Sequence, residues 1–223
     1  MWRDTVLVAG KDLRIEARSR VALSQVVPFG IVALALFAFA LGPDRAPMAK
    51  AAPGLFWVAV LFTTVLAVQR SVSVESGDGA RDGLRLSGLD PAGQFLGKLL
   101  SVGAQLVALE VVLTAGVVLL YGARIEAWWM IVASCLLGTL GLAAAGVLYG
   151  ALSAGLRVKE TILPFLLLPV VTPVLLAGTR IWQAALAGGT PSYGSPWFHL
   201  LIAFDAVYLA LGVVVYGPIQ EST

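Results

Sequence analysis

Six long apolar stretches, separated by short polar ones, limit most strongly what this chain can fold into. They are Val21–Leu41, Ala51–Val68, Leu99–Tyr121, Trp128–Ala154, Thr161–Thr179 and Phe198–Tyr216. Each is about long enough to cross a hydrocarbon core of about 30 Å as an α-helix. Only 13% of residues are charged and 59% are hydrophobic, whereas soluble domains have about 25% charged residues. Strand-like alternation is absent. The sequence therefore predicts an all-α membrane protein with six transmembrane helices in a single domain, residues 1–223.

The first 20 residues are polar but patterned. Trp2, Val6, Ala9, Leu13 and Ala17 recur at three- and four-residue spacing, which places them on one face of a helix. Cationic side chains occupy other positions on the same helix. The pattern predicts an amphipathic helix that lies in the membrane surface. An ordinary soluble helix is the alternative.

The distribution of Lys and Arg predicts the orientation of the helices, because cytoplasmic loops of membrane proteins are enriched in both. On one side of the six predicted spans lie 11 of the 15 Lys and Arg residues: Arg3, Lys11, Arg14, Arg18, Arg20, Arg70, Arg81, Arg85, Lys98, Arg157 and Lys159. The other side has Arg45, Lys50, Arg124 and Arg180. Both termini are therefore expected in the cytoplasm, as in a multi-pass protein of a bacterial inner membrane.

The aromatic and small residues suggest how the helices sit in lipid and pack. Trp57, Trp128, Trp129, Trp182 and Trp197 lie near the ends of apolar stretches, which predicts aromatic belts at the two interfaces. Small residues recur every fourth position at Gly146, Gly150 and Ala154. This spacing allows close approach of a neighbouring helix.

The sequence offers no residues for a catalytic site or a metal site. His199 and Cys135 are the only His and Cys, so neither a metal cluster nor a nucleophile–base pair can be assembled. The run from Gly93 to Lys98 lacks the spacing and the Ser or Thr of a phosphate-binding loop. We expect no enzymatic activity in this chain, and any ATP hydrolysis must come from another subunit. The net charge of +2 gives no reason to expect nucleic-acid binding.

Two acidic residues fall near the middle of predicted spans. The charged forms of Glu110 and Asp205 have a high free energy inside a membrane. Such groups usually face a bundle interior or a wet cavity. Pro169 and Pro173 interrupt the fifth predicted span, and each removes a backbone donor. These four residues form a candidate intramembrane path for a substrate or a proton. The alternative is that both acids are structural, each hydrogen-bonded to a neighbouring helix.

The segment Gln69–Lys98 is the longest predicted cytoplasmic loop. It combines charged residues and glycines with Leu84 and Leu86. A short helix in this loop could dock onto a soluble partner, whereas the alternative is a solvated connector. The residues assigned to such docking are Arg70, Glu75, Asp78, Gly79, Leu84 and Leu86.

Three motifs resemble the cytochrome c maturation protein B family, also called haem exporter protein B. The first is the run Ala52–Ala59, APGLFWVA, at the start of the second span. The second is the spacing in the loop of Arg70, Asp78-Gly79, Leu84, Leu86 and Lys98, in which Gln69 and Gly88 depart from the family pattern. The third is Leu168-Pro169 with Pro173. The resemblance covers nearly the whole chain.

This resemblance implies a permease subunit of an ATP-binding-cassette (ABC) transporter complex. Its ATPase partner would be cytochrome c maturation protein A, which would dock on the loop around residues 75–86. Cytochrome c maturation proteins C, D and E would be further partners, and membrane lipid surrounds the spans. Haem would be the transported or handled species, and no cofactor is expected to be firmly bound. The chain would act as a homodimer or as a single copy within the complex.

Two other functions remain open from the sequence. The chain could be the permease of an ABC exporter of lipid, polysaccharide or drug. It could also be a scaffold that assembles haem-handling proteins without transporting anything. In the cytochrome c maturation complex that the resemblance implies, ATP hydrolysis would drive either haem export or release of a haem-loaded periplasmic chaperone.

Overall fold

A computed structural model describes residues 1–19, 27–42, 45–75, 88–154, 159–187 and 196–222. Within these ranges the regular structure is entirely helical, so the all-α class is confirmed. We number the helices in chain order: α1 (Trp2–Ser19), α2 (Val27–Ala40), α3 (Arg45–Glu75), α4 (Pro91–Tyr121), α5 (Trp128–Ser153), α6 (Lys159–Leu186) and α7 (Pro196–Ser222).

Five of the described helices are long and apolar enough to cross a membrane. Their apolar stretches have mean hydropathies of 2.0 to 2.2 and are Pro47–Ser73, Pro91–Tyr121, Trp128–Ser153, Thr161–Leu186 and Pro196–Glu221. The chain is thus a multi-pass membrane protein. Helix α2 is apolar but has only 14 residues, about 21 Å at 1.5 Å per residue. The first predicted span, Val21–Leu41, contains residues 21–26, which lie outside the described ranges.

The loop predicted at Gln69–Lys98 is shorter than expected, because both of its ends are helical. Helix α3 continues to Glu75, and α4 already begins at Pro91. The side chain of Asp90 accepts a hydrogen bond from the Gly93 amide at 3.3 Å, and Pro91 follows in the first helical turn. Asp as N-cap followed by Pro is a strong helix start. The prediction was wrong here because it ended each helix where the apolar run ended.

Helix α1 forms as predicted, but one of its faces packs on α4 rather than on lipid. A Cβ on Gly97 would lie 2.6 Å from Val8 and 2.8 Å from the Thr5 carbonyl oxygen. Only glycine therefore permits this approach. Ala9, which the sequence pattern grouped with Trp2, is buried, whereas Trp2 is 74% exposed. The predicted apolar face is therefore divided between α4 and the protein surface.

Both chain termini lie at the same end of the helix bundle. The Met1 ammonium group is 3.7 Å from the Asp90 carboxylate. Near the other terminus, the Gln220 side-chain amide donates to the Gln94 side-chain oxygen at 3.1 Å. Asp90 and Gln94 both belong to the start of α4, so α4 begins at this end of the bundle.

Helix α2 runs beside α4 in the same direction. Gly30 faces Leu113 and Leu109, and later in α2 the carbonyl oxygen of Leu34 accepts a hydrogen bond from the Tyr121 hydroxyl at 2.8 Å. The described part of α2 therefore covers the half of α4 that is farther from the chain termini.

Two tryptophans predicted for the membrane interface are instead in the core. Trp57 is 1% exposed and Trp182 is fully buried. The Trp57 ring occupies a slot where any Cβ on Gly138 or Gly178 would overlap it. Trp182 stacks on Phe56 with ring centroids 3.9 Å apart. The prediction was wrong for this pair, because glycines on α5 and α6 create space for the Trp57 ring inside the bundle and Trp182 packs on Phe56 there.

Trp128 and Trp129 are more than half exposed, as the aromatic-belt prediction requires. The prediction of close packing at the small residues is also confirmed. Gly146 and Gly150 both face Val68 of α3, and a Cβ on either would lie within 3 Å of that side chain.

Candidate intramembrane site

A buried carboxyl group lies between α4 and α5. Glu110 is 2% exposed. Its Oε1 atom accepts a hydrogen bond from the Thr139 hydroxyl at 2.7 Å. Its Oε2 atom has no hydrogen-bond partner among the described residues. The Cys135 thiol neighbours this carboxyl group and also the Trp182 indole.

Helical geometry explains this cluster. Cys135 and Thr139 are four residues apart on α5, so both side chains project from one face. That face meets α4 at Glu110. On α4 the Thr114 hydroxyl donates to the backbone carbonyl of Glu110 at 2.6 Å, which keeps that hydroxyl within its own helix.

Glu110 and Cys135 line an apolar crevice of about 520 Å³ between α4 and α5. The remaining lining residues are Val107, Val111, Thr114, Ala115, Val118, Leu119, Trp128, Ile131, Val132 and Leu136. Several of them are more than half exposed on the outside of the bundle, including Val111, Leu119 and Trp128. The crevice therefore opens on the outside of the bundle, and its volume falls in the range of small-molecule sites, about 300–1,000 Å³.

The second acidic residue of the predicted path lies on a different face of α5. Asp205 on α7 is 4% exposed, and neither of its carboxyl oxygens has a hydrogen-bond partner among the described residues. It packs on Gly141, where a Cβ would lie 2.7 Å from the Asp205 Oδ1 atom. Thr139 and Gly141 differ by two residues, about 3 Å along the helix axis. The two acids therefore flank α5 at nearly the same depth, but the crevice is lined by Glu110 and not by Asp205.

The prolines of the predicted path do not break their helix. Helix α6 remains helical through Pro164, Pro169 and Pro173. Pro169 is exposed on the outside of the bundle and Pro173 is half-buried. Neither lines the crevice at Glu110.

The residues predicted to bind the ATPase are described only in part. The Arg70 guanidinium forms an ion pair with Glu16 of α1 at 3.0 Å, and Glu75 is the last residue of α3. Asp78, Gly79, Leu84 and Leu86 lie outside the described residues, so their docking role stays a prediction. His199 is exposed near the start of α7. Within the described ranges there is no group of three or more metal-ligating side chains.

The cluster of Glu110 with Cys135 and Thr139 was not predicted. The one sequence signal for it is the four-residue spacing of two polar side chains within the apolar α5. Sequence spacing does not reveal which neighbouring helix such a pair faces, so the link to Glu110 required the packing of α4 on α5.

Comparison with known proteins agrees with the resemblance seen in the sequence. The family model described as CcmB protein matches residues 4–217. The Heme exporter protein B of Pseudomonas aeruginosa is 30% identical over 211 residues, 95% of this chain and 92% of the relative. That of Paracoccus denitrificans is 30% identical over 182 residues, 81% and 83% of the two chains. That of Haemophilus influenzae is 29% identical over 179 residues, 78% and 79%. With a match that spans nearly all of its length, this chain belongs to the CcmB protein family.

Proposed function

We propose that this chain is the membrane permease subunit of an ABC transporter complex for cytochrome c maturation. A partner ATPase supplies the energy, and the complex exports haem or releases a haem-loaded periplasmic chaperone. The observation that carries this proposal is the family match over residues 4–217, together with relatives named Heme exporter protein B at up to 30% identity. Partners of the same system, cytochrome c maturation proteins C, D and E, complete the proposed complex.

This proposal includes a topology of six spans. It places the protein in the inner membrane with both termini in the cytoplasm. Helices α3 to α7 provide five crossings of spanning length. Both termini lie at one end of the bundle, and this arrangement needs an even number of crossings. Helix α2 runs beside α4 toward the opposite end and supplies the sixth. The excess of Lys and Arg at the terminal end favours the cytoplasm for that side.

The contacts of α1 support a coupling role for the segment between α3 and α4. Glu16 of α1 pairs with Arg70 near the end of α3. Asp12 of α1 lies 3.9 Å from the ammonium nitrogen of Lys98 in α4. Helix α1 thus connects the two helices that flank the segment. A force applied to this segment by a closing ATPase dimer would move α3 and α4 together with α1 as one rigid group.

An experiment in which the partner ATPase is inactivated distinguishes the proposed transporter from a passive scaffold. The catalytic carboxylate of the partner ATPase is replaced by its amide, and the complex is expressed in its native host. We expect the complex to assemble while haem-stained c-type cytochromes are lost, because ATP-driven movement is required. Normal amounts of c-type cytochrome with the inactive ATPase would favour the scaffold. Normal c-type cytochromes in a strain that lacks this chain would favour an exporter of another substrate.

The proposed docking of the ATPase on the segment between α3 and α4 has its own test. Truncating a buried interface leucine costs about 1–3 kcal/mol, so Leu84→Ala with Leu86→Ala should reduce recovery of the ATPase about tenfold or more. The measurement is co-purification in mild detergent at equal permease level. Leu7→Ala with Leu13→Ala on α1 is the matched control, because both leucines are exposed and lie at the same end of the bundle. Undiminished ATPase recovery with the loop variant would show that the loop is a connector.

A further inference from the structure

The acidic side chains of α1 all lie on the part of the helix that is turned toward the bundle. They are Asp4, Asp12 and Glu16, and their side chains are only 21%, 14% and 13% exposed. Each of them forms an ion pair with a neighbouring cationic group at 3.0 to 3.3 Å. The negative charges of α1 are therefore already paired and contribute little to its outer surface.

The outer surface of α1 carries a strip of cationic side chains. This basic strip consists of the exposed residues Arg3, Lys11, Arg14 and Arg18. At 3.6 residues per turn these positions fall within an arc of about 80°, and Leu7 is the only apolar residue in that arc. Lys11 already has a carboxylate partner, whereas the three arginines have none among the described residues. A helix face that is exposed only to water usually mixes both signs of charge, so this strip is suited to an anionic partner.

A second exposed strip of α1 is apolar and lies between the basic strip and the side that packs on α4. This apolar strip consists of Trp2, Val6, Leu13 and Ala17, which fall within an arc of about 60°. Trp2 is 74% exposed and Val6 is 66% exposed. Helices that bind at a lipid surface combine such strips, because the apolar side chains enter the bilayer while the cations stay at the level of the headgroups.

The contacts of α1 place the end of the basic strip at the boundary of a membrane-spanning helix. Glu16 pairs with Arg70, which lies in the last turn of the apolar stretch Pro47–Ser73 of α3. Arg14 and Arg18 are each two residues from Glu16, about 3 Å along the helix axis. They therefore lie where the apolar span gives way to polar headgroups. Anionic phospholipids are attracted to Lys and Arg at this level, and the attraction accumulates with each cation near the surface.

We propose that α1 binds anionic phospholipid headgroups of the surrounding bilayer, with Arg14 and Arg18 as the main contacts and the apolar strip inserted beside them. This inference does not rest on the proposed function, because it concerns bilayer lipid and not a transported substrate. It assigns to α1 a class of lipid, the residues that contact it and the side of the helix that enters the bilayer. Because α1 is ion-paired to both α3 and α4, anionic lipid would strengthen the attachment of α1 to these two helices.

The test measures which lipids surround α1 in the purified full chain in lipid nanodiscs. A bimane fluorophore is attached to Ala17→Cys in a Cys135→Ser background, because Ala17 is exposed on the apolar strip and adjoins Arg18. Its quenching is compared between nitroxide-labelled phosphatidylglycerol, which is anionic, and nitroxide-labelled phosphatidylcholine, which is zwitterionic. Both leaflets of a nanodisc contain the same lipids, so the result does not depend on the orientation of the protein.

Three double variants are compared in this background. Arg14→Gln with Arg18→Gln removes the two charges, and Arg14→Lys with Arg18→Lys keeps them. Arg124→Gln with Arg180→Gln is the matched control, because both arginines are exposed and lie at the opposite end of the bundle. Each variant is first checked for a single size-exclusion peak.

We expect the glutamine variant of Arg14 and Arg18 to lower the preference for phosphatidylglycerol about tenfold, while the lysine variant and the control retain it. High salt should lower the preference in the parent protein, because salt screens exposed charges. No preference in the parent protein, an unchanged preference in the glutamine variant, or an equal loss in the control would overturn the proposal. Reduced co-purification of the partner ATPase with an unchanged lipid preference would also overturn it, because the basic strip would then bind a soluble protein.

Discussion

Glu110 illustrates how an ionisable side chain is placed within a membrane-spanning bundle. One of its oxygens accepts the Thr139 hydroxyl, and the other faces an apolar crevice. The sequence predicted a buried acid at this position. Both predicted roles, a structural acid and a residue on a path, are compatible with these contacts, and they are separated by the variants below.

Thr139→Val tests the structural part of this interaction. It removes the hydroxyl that donates to the Glu110 Oε1 atom, so we expect destabilisation of about 1–2 kcal/mol, near the upper end for hydrogen bonds between membrane helices. The measurement is unfolding in mild detergent. Combining Thr139→Val with Glu110→Leu should recover part of the loss, because removing both partners leaves no unpaired group. A double variant that is less stable than Thr139→Val alone would contradict this account.

Glu110→Gln and Asp205→Asn test the functional part. Each removes a costly charge with little change of shape, so we expect both proteins to reach the membrane at wild-type levels. If the acids act on a substrate or a proton, haem-stained c-type cytochromes should fall while the protein level holds. Normal cytochrome assembly in both variants would assign the two acids a structural role.

The buried Trp57 ring gives a prediction about packing. Gly138→Ala places a methyl group where the ring now lies, and overpacking of this kind costs about 1–3 kcal/mol. We expect a lower melting temperature in detergent, with partial rescue by the smaller ring of Trp57→Phe. Gly54→Ala is the control, since a Cβ there has nothing within 4 Å. Equal melting temperatures for the two glycine variants would show that the slot is not tight.

At the scale of helices, composition predicted which segments are helical but not where they end. The apolar run of α4 starts at Leu99, yet the helix starts at Pro91 because Asp90 caps it. Trp57 and Trp182 were wrongly predicted to lie at the membrane interface for a related reason. A tryptophan near the end of an apolar run looks interfacial in sequence, whereas its burial depends on glycines in distant helices. Such pairings between helices are not visible in one sequence.

The packing of α1 on α4 can be tested by substituting one glycine. Gly97→Ala would bring a methyl group to 2.6 Å from Val8 and 2.8 Å from a backbone oxygen, so α1 must lift away from α4. We expect faster trypsin cleavage after the basic residues Arg14 and Arg18. Gly103→Ala on the same helix is the control, because its nearest neighbour would be 3.8 Å away. Cleavage rates equal to those of Gly103→Ala would contradict tight docking of α1.

For the whole molecule, the proposed orientation follows from the 11-to-4 distribution of Lys and Arg and from termini that share one end of the bundle. A single cysteine at position 80 in a Cys135→Ser background reports the side of the α3–α4 segment. We expect an impermeant thiol reagent to label this site only after the membrane is opened. Labelling from outside intact cells would reverse the assigned topology.

The central claim is that this chain is required for cytochrome c maturation. The most direct measurement is haem staining of c-type cytochromes in the native host after deletion of this gene, with and without a plasmid-borne copy. We predict that deletion abolishes the stained c-type cytochromes, leaves b-type cytochromes in place, and is reversed by the wild-type copy. Unchanged c-type cytochromes in the deletion strain would contradict the account.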